Sequence, residues 1–159
     1  MHMPSITQAA SSKDVSAVRA LMLEYQDLLG VDLCFQGFDA EVRGLPGSYA
    51  PPKGRLLLAR HVGSPAGCVA LHEADWPRAE MKRLFVRPSA RGLGVGRALV
   101  SAVLTHATHI GYTEVVLDTL PSMAEAQRLY EQFGFRDIPP YRPNPIPGTR
   151  YLSRSLAEA

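Results

Sequence analysis

The sequence predicts a single α/β (α+β) domain, and three observations lead there. A chain of 159 residues has the length of one domain and can enclose one substantial core. Its composition, 46% apolar and 20% charged, matches soluble globular averages and argues against disordered, collagen-like and coiled-coil chains. Short β-type runs alternate with helical periodicity in the order β-α-(α)-β-β-β-α-β-α-β-β, with no internal repeat and no linker.

Ile6 to Ala9 suits a first strand. Ser11, with Asp14 three residues on, is an approximate N-terminal capping signal. Val15, Val18, Leu21, Met22, Tyr25, Leu28 and Leu29 then recur on one helical face, and Gly30 supplies a stop. Residues 38 to 43 have room for a short helix, and the prolines and glycines of 45 to 54 make a loop. Arg55 to Val62 and Cys68 to Glu73 read as strands of a hairpin joined by a longer loop from Gly63 to Gly67. A third strand, Glu80 to Val86, follows the turn at Asp75-Trp76-Pro77. After Pro88 and a glycine-rich passage, Arg97 to Ile110 is a helix with Leu99, Ala102, Val103 and Ala107 on one face and Gly111 at its end. Glu114 to Asp118 is a strand, Ser122 to Phe133 a helix, and Phe135 and Tyr151 to Leu156 fall in late strands. Prolines concentrated between 139 and 148 predict an extended, stiff loop.

Composition narrows function. Net charge is +2, too balanced to announce a nucleic-acid or anionic-membrane partner. Positive charge is nevertheless concentrated late: residues 1 to 80 carry seven Lys/Arg against nine Asp/Glu, and the rest carry ten against six. That excess asks for an anion. Cys34 and Cys68 form no metal-binding or disulfide pattern and read as reduced thiols. No apolar run approaches the roughly 20 residues of a membrane span. The first ten residues lack a signal peptide's features, so the expected location is cytoplasmic.

The passage Arg91-Gly92-Leu93-Gly94-Val95-Gly96-Arg97 lies between a strand and a helix, where backbone N–H groups and the positive helix end hold phosphate. A Walker loop does not fit, because GxxxxGK[ST] is missing, and a dinucleotide fingerprint does not, because its third glycine would fall where Arg97 stands. The run from Leu84 through Val86, Pro88, Arg91, Gly94 and Gly96 resembles the acetyl-coenzyme A motif of the GNAT N-acetyltransferase superfamily, R/Q-x-x-G-x-G/A after a strand ending in V-x-P. Ala126, Leu129, Tyr130, Gly134 and Phe135 resemble its second motif, A-x-x-L-Y-x-x-x-G-F. The resemblance implies a GNAT fold: a mixed, mostly antiparallel twisted sheet of about six to seven strands, flanked by about four helices, with a splayed strand pair forming the CoA cleft. It also implies acetyl-CoA as co-substrate, with no metal. Amides from Gly92 to Arg97, supplemented by the Arg91 and Arg97 side chains, would meet the pyrophosphate. The pantetheine arm would run along Leu84, Phe85 and Val86. Many relatives have asparagine at the position of Met123, for which Ser122 is the substitute.

The implied activity is transfer of an acetyl group to a primary amine of a small molecule or peptide, by direct attack in a ternary complex. A lysine-like amine with pKa near 10.4 costs roughly 4.6 kcal/mol to neutralise at pH 7, so a base helps. Glu80 occupies the position of the general base in histone-acetylating members; the competing reading is a strand-end carboxylate paired with Lys82 or Arg83. Lys82 shares its strand face by alternation and would lower its basicity. Tyr130 matches the tyrosine that protonates the departing thiolate, and a backbone N–H of Leu84 or Phe85 would meet the oxyanion. His106 and His109 are expected to face solvent, not a metal. His72, Trp76, Tyr49, residues 32 to 36, Tyr141, Arg142 and Asn144 are acceptor candidates, with Arg142 suited to a carboxylate. Two other classes stand beside the enzyme. One is a CoA-binding regulatory module; the other, an interaction protein, leaves the paired motifs unexplained. A homodimer stays open.

Overall fold

The computed structural model describes residues 3–30 and 37–156, and most elements begin and end at the caps and turns of the sequence. β1 (Ser5–Gln8) leads into α1 (Ser12–Leu29). The Ser11 hydroxyl accepts the Asp14 N–H at 3.1 Å, and Gly30 closes the helix at φ 65°. Val15, Val18, Leu21 and Met22 are buried as expected, whereas Leu28 is 58% exposed because it borders the cleft described below. The acceptor candidates at 32 to 36, and Cys34, lie outside the described residues. α2 (Phe38–Arg43) is anchored by fully buried Phe38, and a 3-10 turn at Gly47–Tyr49 interrupts the following loop.

β2 (Arg55–His61) and β3 (Ser64–Asp75) form a tighter hairpin than the sequence suggested. His61 faces Ser64, so the loop is Val62 and Gly63 alone. Both take positive φ, 51° and 80°, which matches the twist of the flanking strands; a register shift at Ala59/Arg60 takes up the extra residue. β4 (Arg78–Val86), α3 (Val95–Ile110), β5 (Glu114–Thr119), α4 (Ala124–Gln132), β6 (Arg136–Asp137) and β7 (Arg150–Ser155) follow. The last helix starts after Ser122 because Met123 has non-helical angles, φ −101° and ψ 51°. Phe135 stands just before β6, buried in the core.

The strands make one sheet in the order β1-β2-β3-β4-β5-β7-β6, antiparallel except for β4 beside β5. Leu57, Val69, Leu71, Met81, Val115 and Leu117 pack under α3 on one face. Leu56, Leu58, Cys68, Ala70 and Phe85 pack under α1 and α2 on the other. A strand covered on both faces reads as a continuous apolar run rather than an alternating one, hence Leu56-Leu57-Leu58. Cys68 is a buried free thiol whose pKa burial pushes up to about 12. Among the described residues no helix is long and apolar enough to cross a membrane.

Two irregularities of β4 prepare the site. It pairs with β5 only from Arg78↔Glu114 to Glu80↔Val116, and beyond that the strands part. Against β3, Lys82 faces Ala70 and Phe85 faces Cys68, so Arg83 and Leu84 together oppose Val69, with Arg83 at φ 62°. This bulge resets the alternation. Met81, Leu84 and Val86 lie toward α3, while Phe85 lies toward α1.

Candidate active site

The glycine passage becomes a cradle because its backbone is left-handed where only glycine is comfortable. Gly92 and Gly94 both have φ 80°, and Gly94 caps α3 without a side-chain bond. The first helical bond runs from the Ala98 N–H to the Gly94 carbonyl at 3.0 Å, and the amides of Gly92 to Arg97 donate to no other described residue. Those amides sit at the positive end of a helix dipole, which is a ready anion site. Gly96 serves packing: a Cβ there would lie 3.3 Å from Leu129 and 3.6 Å from Val86, so its absence lets α3 approach α4 and β4.

A cleft of about 700 Å³ opens beside the cradle. Leu84, Phe85 and Val86 line it from β4, Arg91, Gly92, Gly94, Val95 and Gly96 from the loop, and Ser122, Met123 and Arg128 from the opposite side. Leu93 and Arg97 lie outside that lining. Leu93 is exposed, and the Arg97 guanidinium donates to Gln132 and sits over the Phe133 ring. Arg87, which flanks the passage in sequence, is held instead by Glu24 of α1 at 2.6 Å and by the Pro65 carbonyl. Unpaired amides, a helix N-terminus and an open β4 edge fit the pyrophosphate and amide-bearing arm of a CoA thioester.

Tyr130 is buried, its ring 5.7 Å from that of Phe135. Burial, reinforced by Tyr25 and Asp118, pushes its pKa up, so the hydroxyl keeps its proton.

Glu80 is the centre of a second group of side chains. It is 2% exposed and is paired with neither Lys82 nor Arg83. His72 Nε2 lies 2.8 Å away, the Tyr141 hydroxyl donates to it at 2.7 Å, and Arg142 pairs with it at 2.9 Å. Burial acts to raise its pKa, but the His72 bond, the charges of Arg142 and Lys82 and the Tyr141 bond outweigh it and bring the carboxyl down to about 2. Arg142 also reaches Asp118 on β5 at 3.2 Å, and Asn144 donates to the same carboxylate at 3.3 Å. The proline loop is thereby strapped across the mouth of the splay, with the Tyr151 hydroxyl donating to the Arg142 carbonyl at 2.7 Å. The bulge explains why Arg83 does not reach Glu80: it turns the guanidinium to Glu41 of α2, with bonds of 2.9 and 2.8 Å.

Tyr49 packs its ring against His72 at 5.5 Å, so both acceptor candidates belong to this group. Trp76 packs at a tilt against Tyr112, with the Lys53 ammonium over its ring, and is turn packing. His106 is not simply solvent-facing: it is half-buried and accepts from Arg55 Nε at 3.0 Å. His109 is exposed, and no metal-holding cluster occurs among the described residues. Sequence reasoning did not single out Asp118 or Glu41 for this site. Their only signal is a carboxylate in or beside an apolar run, which becomes informative once register places it across from a cation.

Comparison with known proteins identifies the family. Residues 24–135 match the Acetyltransferase (GNAT) family. The chain belongs to the GNAT acetyltransferase family. An uncharacterized N-acetyltransferase of Schizosaccharomyces pombe is 40% identical over 97% of this chain and 96% of its own length. A GNAT acetyltransferase structure from Staphylococcus aureus Mu50 superposes with a TM-score of 0.81 at 21% identity, covering 98% of this chain and all of that one, 100%. A Salmonella typhimurium protein solved with acetyl-CoA as its cofactor has a TM-score of 0.67 at 19% identity, over 99% and 96% of the two chains. This GNAT protein is an acetyl-CoA-dependent acyltransferase, and its seven-stranded mixed sheet is the family's fold.

Proposed function

We propose that this acetyltransferase acetylates a primary amine that enters the splay from the side of Glu80, while acetyl-CoA lies in the cleft on the side of the glycine cradle. The observation that carries the reading is that the two strands part at Glu80 and Val116, with the free amides on one side of the opening and the carboxylate group on the other. When bound, acetyl-CoA supplies a thioester whose acetyl group the amine takes. The amides of Gly92 to Arg97, with Arg91 beside them, hold the pyrophosphate. Leu84, Phe85 and Val86 align the arm, and a backbone N–H of Leu84 or Phe85 faces the oxygen that gains charge. Tyr130 donates a hydrogen bond toward the departing sulfur. Its raised pKa suits donation better than full proton transfer.

Glu80 stands in the base position with a pKa of about 2. A carboxylate that weak does not store the proton of an ammonium; it attracts and orients the ammonium, which gives its proton directly to water. The neutralisation cost is then set by the acceptor amine and by bulk pH, near 4.6 kcal/mol for a lysine-like amine at pH 7.

A broad amine panel with acetyl-CoA, followed by free-thiol release and product mass spectrometry, tests the reading. An acetylated amine, with turnover reduced at least tenfold in Glu80→Gln, is the expected result. Acetyl-CoA binding without thiol release for any amine would instead support a CoA-binding regulatory module.

A further inference from the structure

The register of the splay sets Lys82 and Asp118 on opposite lips of one opening. Glu80 faces Val116 in the last parallel pair. Two residues further along each strand come Lys82 and Asp118, and strand alternation keeps them on the face of Glu80 and Val116, the one covered by α1 and α2. The other cations of this face are engaged: Arg83 with Glu41 at 2.8 Å, and Arg142 with Glu80 at 2.9 Å and Asp118 at 3.2 Å. Lys82 is half-buried, and among the described residues no carboxylate lies within ion-pair distance of its ammonium. Burial, together with Arg83 and Arg142, lowers its pKa against the opposing charges of Glu80 and Glu41. Glu80 beside it on β4 and Asp118 across the opening on β5 share the single guanidinium of Arg142. This face of the opening thus presents a cation without a close anion next to two carboxylates that share one guanidinium.

We propose that the acceptor is an amine bearing a carboxylate close to it, of the α-amino acid class, and that Lys82 binds that carboxylate while Asp118 and Glu80 face the ammonium. The proposal rests on the acetyl-transfer reading above, since it names the acceptor of the same site. Lys82 is a specificity residue here. A polyamine or an unmodified alkylamine would bring no anion to Lys82 and would leave it as it stands in the free protein.

The test compares each L-amino acid with its own α-carboxamide as acceptor, using wild type, Lys82→Met and Lys82→Arg. The carboxamide's amine is the less basic, so chemistry without recognition favours the carboxamide. The expected result is that wild type prefers the acid, that Lys82→Met lowers the acid-to-carboxamide ratio of kcat/KM roughly 10- to 100-fold, mainly through KM, and that Lys82→Arg keeps the preference. A wild type that uses carboxamides at least as well, or a ratio unmoved by Lys82→Met, overturns the proposal. Should no amine be acetylated, the transfer reading fails by itself. The carboxylate site is then read by thermal shift of the CoA-loaded protein with N-acetyl-L-amino acids: a shift lost in Lys82→Met sustains it, and no shift in wild type overturns it.

Discussion

Replacing Glu80 by Gln keeps the shape of the side chain and removes one charge from a closely bonded group, so its effect can be worked from the structure. In the unfolded chain the carboxyl returns to its ordinary range, near 4.3. In the folded chain burial would raise it, but His72, Arg142, Lys82 and Tyr141 bring it to about 2. A gap of that size is worth about 3 kcal/mol at neutral pH. Because the folded value is the lower one, this stability is fully present above the unfolded pKa and is lost as pH falls through the folded one. Wild type should therefore exceed Glu80→Gln by about 3 kcal/mol from pH 7 down to about pH 5. Roughly half of that advantage should be gone by pH 3. In urea unfolding followed by far-ultraviolet circular dichroism, the neutral-pH difference should move the midpoint by about 1 to 3 M. An advantage that stays flat from pH 7 to pH 3, or a Gln variant as stable as wild type at pH 7, would show that the surrounding cations and hydroxyl do not favour the ionised form.

Further expectations concern the cleft and the helix that covers the acceptor face. Gly94→Ala, at φ 80°, should cost about 1 to 2 kcal/mol of stability and weaken acetyl-CoA binding in calorimetry; unchanged affinity would detach the loop's conformation from binding. Tyr130→Phe should reduce kcat about 100-fold while leaving KM for acetyl-CoA within a few-fold, and equal loss in both would assign the hydroxyl to binding. The pH profile of kcat/KM should rise with deprotonation of the acceptor's ammonium and show no carboxylate inflection between pH 5 and 8, since Glu80 is ionised throughout that range. Phe38→Ala should cost about 3 to 5 kcal/mol in chemical unfolding, because Phe38 is fully buried and carries the Arg83 guanidinium 5.0 Å from its ring centroid.

The cofactor half of the site was legible because its chemistry is local in sequence. A run of glycines and arginines at a strand-helix junction needs no distant residue to become an anion cradle, and the Ser11 and Gly30 caps set α1 in the same way. The acceptor half was legible as a set of candidates, His72, Tyr49, Tyr141, Arg142 and Asn144, but not as a network on Glu80, because the sheet brings those partners from afar: His72 on the neighbouring strand, and Tyr141 and Arg142 on a loop 61 and 62 residues later. Alternation alone correctly placed Lys82 on the face of Glu80. It gave no warning that the next residue, Arg83, would take positive φ, reset the pattern and turn to Glu41. The hairpin at Val62 and Gly63 escaped for a similar reason: a β-branched residue at φ 51° runs against its local preference, and the glycine at 67 was the more obvious loop residue. That glycine instead admits close backbone contact, since a Cβ there would lie 2.5 Å from the Phe85 carbonyl.

The parting of β4 and β5 leaves the sheet with an edge inside the molecule. Elsewhere such an edge is a liability, a template on which another chain can add a strand. Here helices close both faces, and only something as slender as a ligand's amide-bearing arm can take the missing strand's place. On the proposed reading the small molecule would complete the architecture as well as enter the reaction, and folding and supply would be linked. At a ligand concentration one hundred times its Kd, such a chain would gain about 2.7 kcal/mol, and the persistence of the folded protein would rise and fall with the acetyl-CoA available to it.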